Sequence, residues 1–188
     1  MTKETKWSID QDHSEVSFKL RHLMIAHVRG NFKKFEANIQ TVKKDFLTAD
    51  IDLWIDVASI DTGNEKRDEH LLGEEFFDVA HHKQITFMAN TIEKAAEGDK
   101  HDLWGDLTIK GITKRVMMHI EFGGITNDTW GNEKAGFTIS GKINRTDYGL
   151  TWNNTLETGG IMVGEEVSIL CEIELINTTS KEGVMEVN

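Results

Sequence analysis

The sequence predicts an all-β protein: an eight-stranded antiparallel up-and-down barrel with one α-helix inserted between its third and fourth strands. Three observations predict it. Apolar and polar residues alternate with period two along nearly the whole chain, the mark of strands with one buried face. The alternating runs are joined by short Gly-, Asn- and Asp-rich segments, and proline is absent altogether, so every turn falls to those residues. Only one segment, DTGNEKRDEHLLGEEFFDVAHH at residues 61–82, breaks the rhythm.

The runs follow in order. Val16, Phe18 and Leu20 alternate with Ser17, Lys19 and Arg21, which places His22 on the apolar side. Phe35, Ala37 and Ile39 alternate with Glu36, Asn38 and Gln40, and Ala49, Ile51, Leu53, Ile55 and Val57 oppose Asp50, Asp52, Trp54 and Asp56. Thr62 through Leu72 then has helical composition, with Asp61 or Thr62 placed to cap it and Gly73 to stop it, in an insertion over residues 62–78. Alternation resumes with Ile85, Phe87 and Ala89, and then with Leu103, Gly105, Leu107 and Ile109. A Lys110-Gly111 turn leads to Val116, Met118, Ile120 and Phe122. Ala135, Phe137, Ile139, Gly141 and Ile143 form the next run, and Val167, Ile169, Cys171, Ile173 and Leu175 the last. Amphipathic strands in succession need a shared interior, and a closed barrel supplies one without an exposed edge. The even strand length and hairpin-like spacing favour a barrel over a two-sheet sandwich.

At 188 residues the chain is expected to form one domain, residues 1–188, with a flexible tail at residues 178–188. The net charge of −11 arises from 32 acidic and 21 basic residues, and the basic ones are scattered, which argues against nucleic acid or a polybasic membrane anchor as partner. Cys171 stands alone in an apolar run and reads as a buried small hydrophobe. No segment reaches the roughly 18 apolar residues of a membrane span. The start, MTKETKWSID, has no apolar h-region, so a cytoplasmic location is expected.

Many inward positions are small: Ala37, Ala49, Ala89, Gly105, Ala135, Gly141 and Cys171. Small residues either make room for large neighbours or leave space, and an eight-stranded barrel is of a size that allows both. Periodicity alone leaves a filled core and a ligand cavity equally open. The inward positions carry no Asp, Glu, Lys or Arg, so any occupant is apolar along most of its length.

Eight histidines invite a metal reading, but His81 and His82 are adjacent and point to opposite faces, and His70 has no partner at chelating spacing, so no metal is expected. Arg67, Asp68 and His70 offer an acid and a base, yet no nucleophile elbow or phosphate-binding loop accompanies them. An ion-paired latch is the better reading, laying Leu71, Leu72, Phe76 and Phe77 across the barrel. Trp54 and Trp104 fall on the polar side of their strands, and Arg145-Thr146-Asp147-Tyr148-Gly149 reads as a structural corner.

These segments closely resemble the YceI-like family, polyisoprenoid-binding proteins with a lipocalin-like fold. WSIDQDHSEVSFKLRHLMIAHVRGNFKKF resembles the family's opening, SIDTGNEKRDEHLLGEEFFD its central helix motif and GDLTIKGITKRV its hairpin. INRTDYGLTWN followed by VGEEVSILCEIEL resembles its final segment. Where the family commonly has proline, this chain has Lys83 and Arg115, which bears on turn rigidity rather than on the cavity. The resemblance implies a lipocalin-like barrel holding a long isoprenoid or similar amphiphilic lipid in an apolar pore. It also implies that dimers are common, with Trp54 or Met117 available to a homodimer.

The expected function is therefore binding, storage or transport of a polyprenyl, isoprenoid-quinone-like or similar lipid, with no other cofactor and no catalysis. The expected site is the inner face: Val16, Phe18, Leu20, His22, Phe35, Ala37, Ile51, Leu53, Ile85, Phe87, Leu107, Met118, Ile120, Phe137, Ile139, Ile169 and Cys171. His22 is the candidate polar contact to the ligand's head, and Arg67, Asp68, His70, Leu71, Phe76 and Phe77 form the lid. The alternatives are an enzyme acting on a bound amphiphile with Arg67, Asp68 and His70 at the mouth, or a filled barrel serving as an interaction module.

Overall fold

Alternation along the chain becomes alternation across a wall. In the run Phe35–Val42 every second residue is buried and every intervening one is exposed. The computed structural model describes residues 3–95 and 100–179. Its strands are β1 (Glu4–Ile9), β2 (Glu15–His22), β3 (Ala26–Phe32), β4 (Phe35–Val42), β5 (Asp45–Asp56) and β6 (Ile60–Asp61). After the helix α1 (Glu65–Leu72) come β7 (Gln84–Lys94), β8 (Lys100–Ile109), β9 (Ile112–Asn127), β10 (Glu133–Asn144) and β11 (Glu166–Asn177).

Eight of these strands close an antiparallel ring in the order β1-β4-β5-β7-β8-β9-β10-β11 and back to β1. The ring is the predicted barrel, with the helix between the strands that carry Ala49–Val57 and Ile85–Ala89. Its closing strand is β1, which the alternation did not signal. β1 and β2 share β11 lengthwise. Ile9 faces Leu175, and beyond a 3-10 turn at Gln11–His13 Val16 faces Cys171. β3 and β6 continue outward from β2 as a flap. β3 was invisible to periodicity because only Gly30 and Phe32 within it are buried, so it has no apolar face to alternate.

The helix starts later than its composition indicated. Asn64 caps it, its side-chain oxygen accepting from the Arg67 N–H at 3.0 Å, in place of Asp61 or Thr62. Asp61 is used one step earlier, accepting from the Gly63 N–H at 2.8 Å across a left-handed glycine with φ 78°. Gly73 does end the helix, its N–H donating to the His70 carbonyl. The Lys110-Gly111 turn has positive φ at both residues, 52° and 75°, the geometry that joins twisted strands through two residues.

The small inward residues divide into three groups. A Cβ on Gly105 would lie 2.5 Å from the Phe87 ring, and one on Gly141 would collide with Met118, so these glycines admit large neighbours. Ala37, Ala49 and Cys171 instead border open space. Ala89 and Ala135 are buried within the wall.

The expected tail lies outside the described residues beyond Thr179. Before that point the Thr178 N–H still donates to the Lys6 carbonyl at 2.9 Å. No helix among the described residues is long and apolar enough to cross a membrane.

Candidate functional site

The ring encloses a cavity of about 570 Å³, in the range of roughly 300–1,000 Å³ usual for small-molecule sites. Val16, Phe18, Leu20, His22, Ala37, Ile51, Leu53, Ile85, Phe87, Leu107, Met118, Ile120, Phe137, Ile139, Ile169 and Cys171 line it. They do so because inward parity on an antiparallel strand brings every second side chain to one surface. Phe35 is the exception: it opens β4 opposite Ile55 and is buried in the core without bordering the cavity.

The two ends of the barrel differ. At the end formed by the β4–β5 turn and the start of β10, aromatic rings stack into a plug. Phe46 lies 5.0 Å from Trp7, 4.7 Å from Phe137 and 5.5 Å from Phe122 between ring centroids. At the opposite end α1 and the segment between β10 and β11 cover the interior. There His70, Phe76 and Trp152 meet, with His70 and Trp152 edge to face at 4.8 Å.

The expected latch is present as a grip on one residue, not as a pair between its own charges. The Asp68 carboxylate accepts from the Thr62 N–H at 3.0 Å and from its hydroxyl at 2.5 Å. Arg67 donates from Nε to the Thr62 hydroxyl and from Nη2 to the Thr62 carbonyl, each at 2.7 Å. Arg67, His70, Leu71, Phe76 and Phe77 border the cavity, whereas Asp68 and Leu72 do not. His70 meets the Glu75 carboxylate at 2.5 Å.

Arg145 was missed. It ends the run Ala135, Phe137, Ile139, Gly141, Ile143 and holds the same inward parity, a signal masked by its reading as a corner residue. The corner exists, as a 3-10 turn over Arg145–Tyr148 closed by Gly149 in the left-handed region at φ 73°. Its arginine points inward, only 3 % exposed, and donates to the carbonyls of Gly164, Leu150, Trp152 and Val163. Burial pushes this guanidinium below its ordinary value, opposed by Glu165. Trp152 lies outside every alternating run, so periodicity does not signal it, yet it lines the cavity; Trp7 is core, Trp104 stacks under Arg115 and Trp130 is exposed.

Other reactive groups are engaged elsewhere. Burial pushes the Cys171 thiol up to about 12, so it stays protonated as a small apolar wall residue. His81 pairs with Asp78 at 2.9 Å, which raises its pKa, and does not share a site with His82. Asp10, His13 and Glu174 come together at the surface, but the Lys134 ammonium already sits against Asp10 and lies 3.0 Å from Glu174.

A family model described as a YceI-like domain matches residues 7–175. A UPF0312 protein of Staphylococcus epidermidis is 38% identical over 171 residues, which is 90% of this chain and 96% of that one. Among solved structures, Burkholderia cenocepacia BcnA is similar with a TM-score of 0.74 at 26% identity, covering 88% of this chain and 98% of its own. A polyisoprenoid-binding domain from Saccharophagus degradans, implicated in plant cell wall breakdown, shares the fold at a TM-score of 0.66 and 14% identity, covering 91% and 98%.

Proposed function

Because the chain belongs to the YceI-like family, we propose that it binds a long apolar lipid of isoprenoid, isoprenoid-quinone or similar amphiphilic class inside the barrel, and stores or carries it. The observation that carries this reading is the cavity within the ring, with its almost wholly apolar wall. A filled barrel would place large side chains against Ala37, Ala49 and Cys171, as Phe87 is placed against Gly105. Each buried CH₂ contributes about 0.8 kcal/mol. A chain of roughly fifteen such groups, about 12 kcal/mol, offsets much of the ~4–15 kcal/mol cost of association. The polyisoprenoid-binding domain with the same fold supports the class of ligand. The acid/base alternative has less to work with: Arg67 and Asp68 are occupied by Thr62, and His70 by Glu75.

The test is organic extraction of the purified protein followed by mass spectrometry, together with titration by a polyprenyl quinone monitored through intrinsic tryptophan fluorescence. The expected result is a co-purifying lipid or saturable quinone binding. Neither one being found would overturn the reading.

A further inference from the structure

The charged groups that border the cavity are all of one sign. Arg21, Lys66, Arg67 and Arg145 line it, joined by His22 and His70, and no aspartate or glutamate does among the described residues. This holds in a chain with 32 acidic against 21 basic residues. Chance placement would have favoured carboxylates.

Their contacts gather these groups at the α1 end. Arg145 donates from Nη2 to the Val163 carbonyl at 3.1 Å, and Val163 bridges to His22. The adjoining Gly164 N–H donates to the Arg21 carbonyl at 2.9 Å. Trp152, whose carbonyl accepts from Arg145 Nη1 at 3.0 Å, carries the His70 ring at 4.8 Å. His70 belongs to α1 with Lys66 and Arg67.

Arg145 matters most. Four carbonyls satisfy its hydrogen bonding, through four of the five N–H donors a guanidinium has. They do not neutralise it, and no carboxylate lies within ion-pair distance of it among the described residues, although the Glu165 charge acts on it. A guanidinium keeps its charge at any working pH, and in a dry interior that charge acts at far greater strength than in water. Arg21 and Lys66, both exposed, likewise have no ion-pair partner among the described residues, whereas Lys44, Arg115 and Lys142 elsewhere on the barrel do.

We propose that the ligand carries an anionic head group, a carboxylate or a phosphate on a long apolar chain. The head is seated at the α1 end among Arg145, Arg21 and Lys66, and the chain runs toward Phe46 and Phe137. The proposal rests on the apolar-ligand reading and adds the chemistry and direction of the head.

Two matched pairs of probes test it on the intact protein: geranylgeranyl phosphate with geranylgeraniol, and oleate with oleyl alcohol, each titrated calorimetrically at ~20 mM and ~500 mM salt. The anionic member of at least one pair is expected to bind about tenfold or more tighter, with the gap narrowing at high salt; which pair separates identifies phosphate or carboxylate. In the Arg21→Gln, Lys66→Gln double variant the gap should shrink severalfold. A ratio of two ligands on one protein is insensitive to partial loss of folding. Equal affinities within both pairs, or tighter binding of the alcohols, overturn the anionic head. A gap that keeps its full size in the double variant overturns its placement. No binding of any of the four probes overturns the apolar-ligand reading itself.

Discussion

Gly105 and Ala37 both sit on the inward face and are both small, but their surroundings make opposite predictions. A methyl on Gly105 meets the Phe87 ring at 2.5 Å and the Met88 carbonyl at 2.8 Å, and the carbonyl cannot rotate away. Gly105→Ala is therefore expected to cost about 1–3 kcal/mol by overpacking, read from urea denaturation; an unchanged midpoint would show that the strand can shift. Ala37 borders the cavity, so Ala37→Phe is expected to fold and to weaken lipid binding at least about tenfold by occupying the space. Unaltered binding would remove that position from the site. The Tyr148 hydroxyl is buried with no hydrogen-bond partner among the described residues, and burial pushes its pKa to about 12. Tyr148→Phe removes that unpaired group and is expected to leave stability unchanged or raise it by about 1 kcal/mol. A loss of similar size would reveal a partner.

The helix is a poor one taken alone: eight residues, four of them acidic or histidine, and none fully buried. What holds it is the convergence of Asp68 and Arg67 on Thr62, together with Leu71, Phe76 and Phe77 packed against the interior. Removing the acceptor leaves the Thr62 N–H and hydroxyl unsatisfied in a half-buried position. Asp68→Ala is expected to destabilise by about 1–3 kcal/mol and to speed amide exchange across residues 62–72 before the strands are affected. If the loss appeared only in turnover of some substrate, with stability intact, the enzymatic reading would return. The cluster of charge and histidine in this segment was plain in the sequence. That its charges grip a threonine while its apolar residues face the cavity was not, because the grip depends on a left-handed Gly63 that turns Thr62 back over the first helical turn.

Across the whole molecule, ion pairs tie the end of the barrel opposite α1. Burial works against Asp10, but hydrogen bonds from Lys134 and His13 hold its carboxyl below the ordinary 3.8. Lys44 and Asn177 hold Glu133 below 4.5. Groups lowered in this way contribute stability that is complete above their ordinary values and lost as pH falls through the lowered ones. His13 and His81 run the other way: hydrogen bonds to Asp10 and Asp78 raise them, so their contribution is complete below 6.5 and fades as pH rises through the raised values. Both histidines are exposed, so that side is shallow. The urea midpoint is expected to be highest between pH 4.5 and 6.5, with the steeper fall on the acid side. Lys134→Met should flatten the acid limb. A midpoint still climbing from pH 6.5 to 8 would contradict these assignments.

The strands that have one wet and one dry face were legible residue by residue, since a two-residue repeat is a local property and each residue reports its own side. That repeat located seven of the eight strands that close the ring, and every expected inner-face residue of the site except Phe35 borders the cavity, whereas Arg145 and Trp152 escaped it. It could not find β3, which has no continuous dry face, or the closure by β1, which depends on Trp7 reaching both Ile39 and Asn177 across long stretches of chain. Whether the interior was full was also beyond it. A glycine that admits Phe87 and an alanine that borders a cavity look alike in a sequence, because the difference lies in the rotamers of residues on neighbouring strands. The cationic end was decided only in three dimensions, where Arg21, Lys66 and Arg145, far apart along the chain, are brought to one mouth by closure of the barrel.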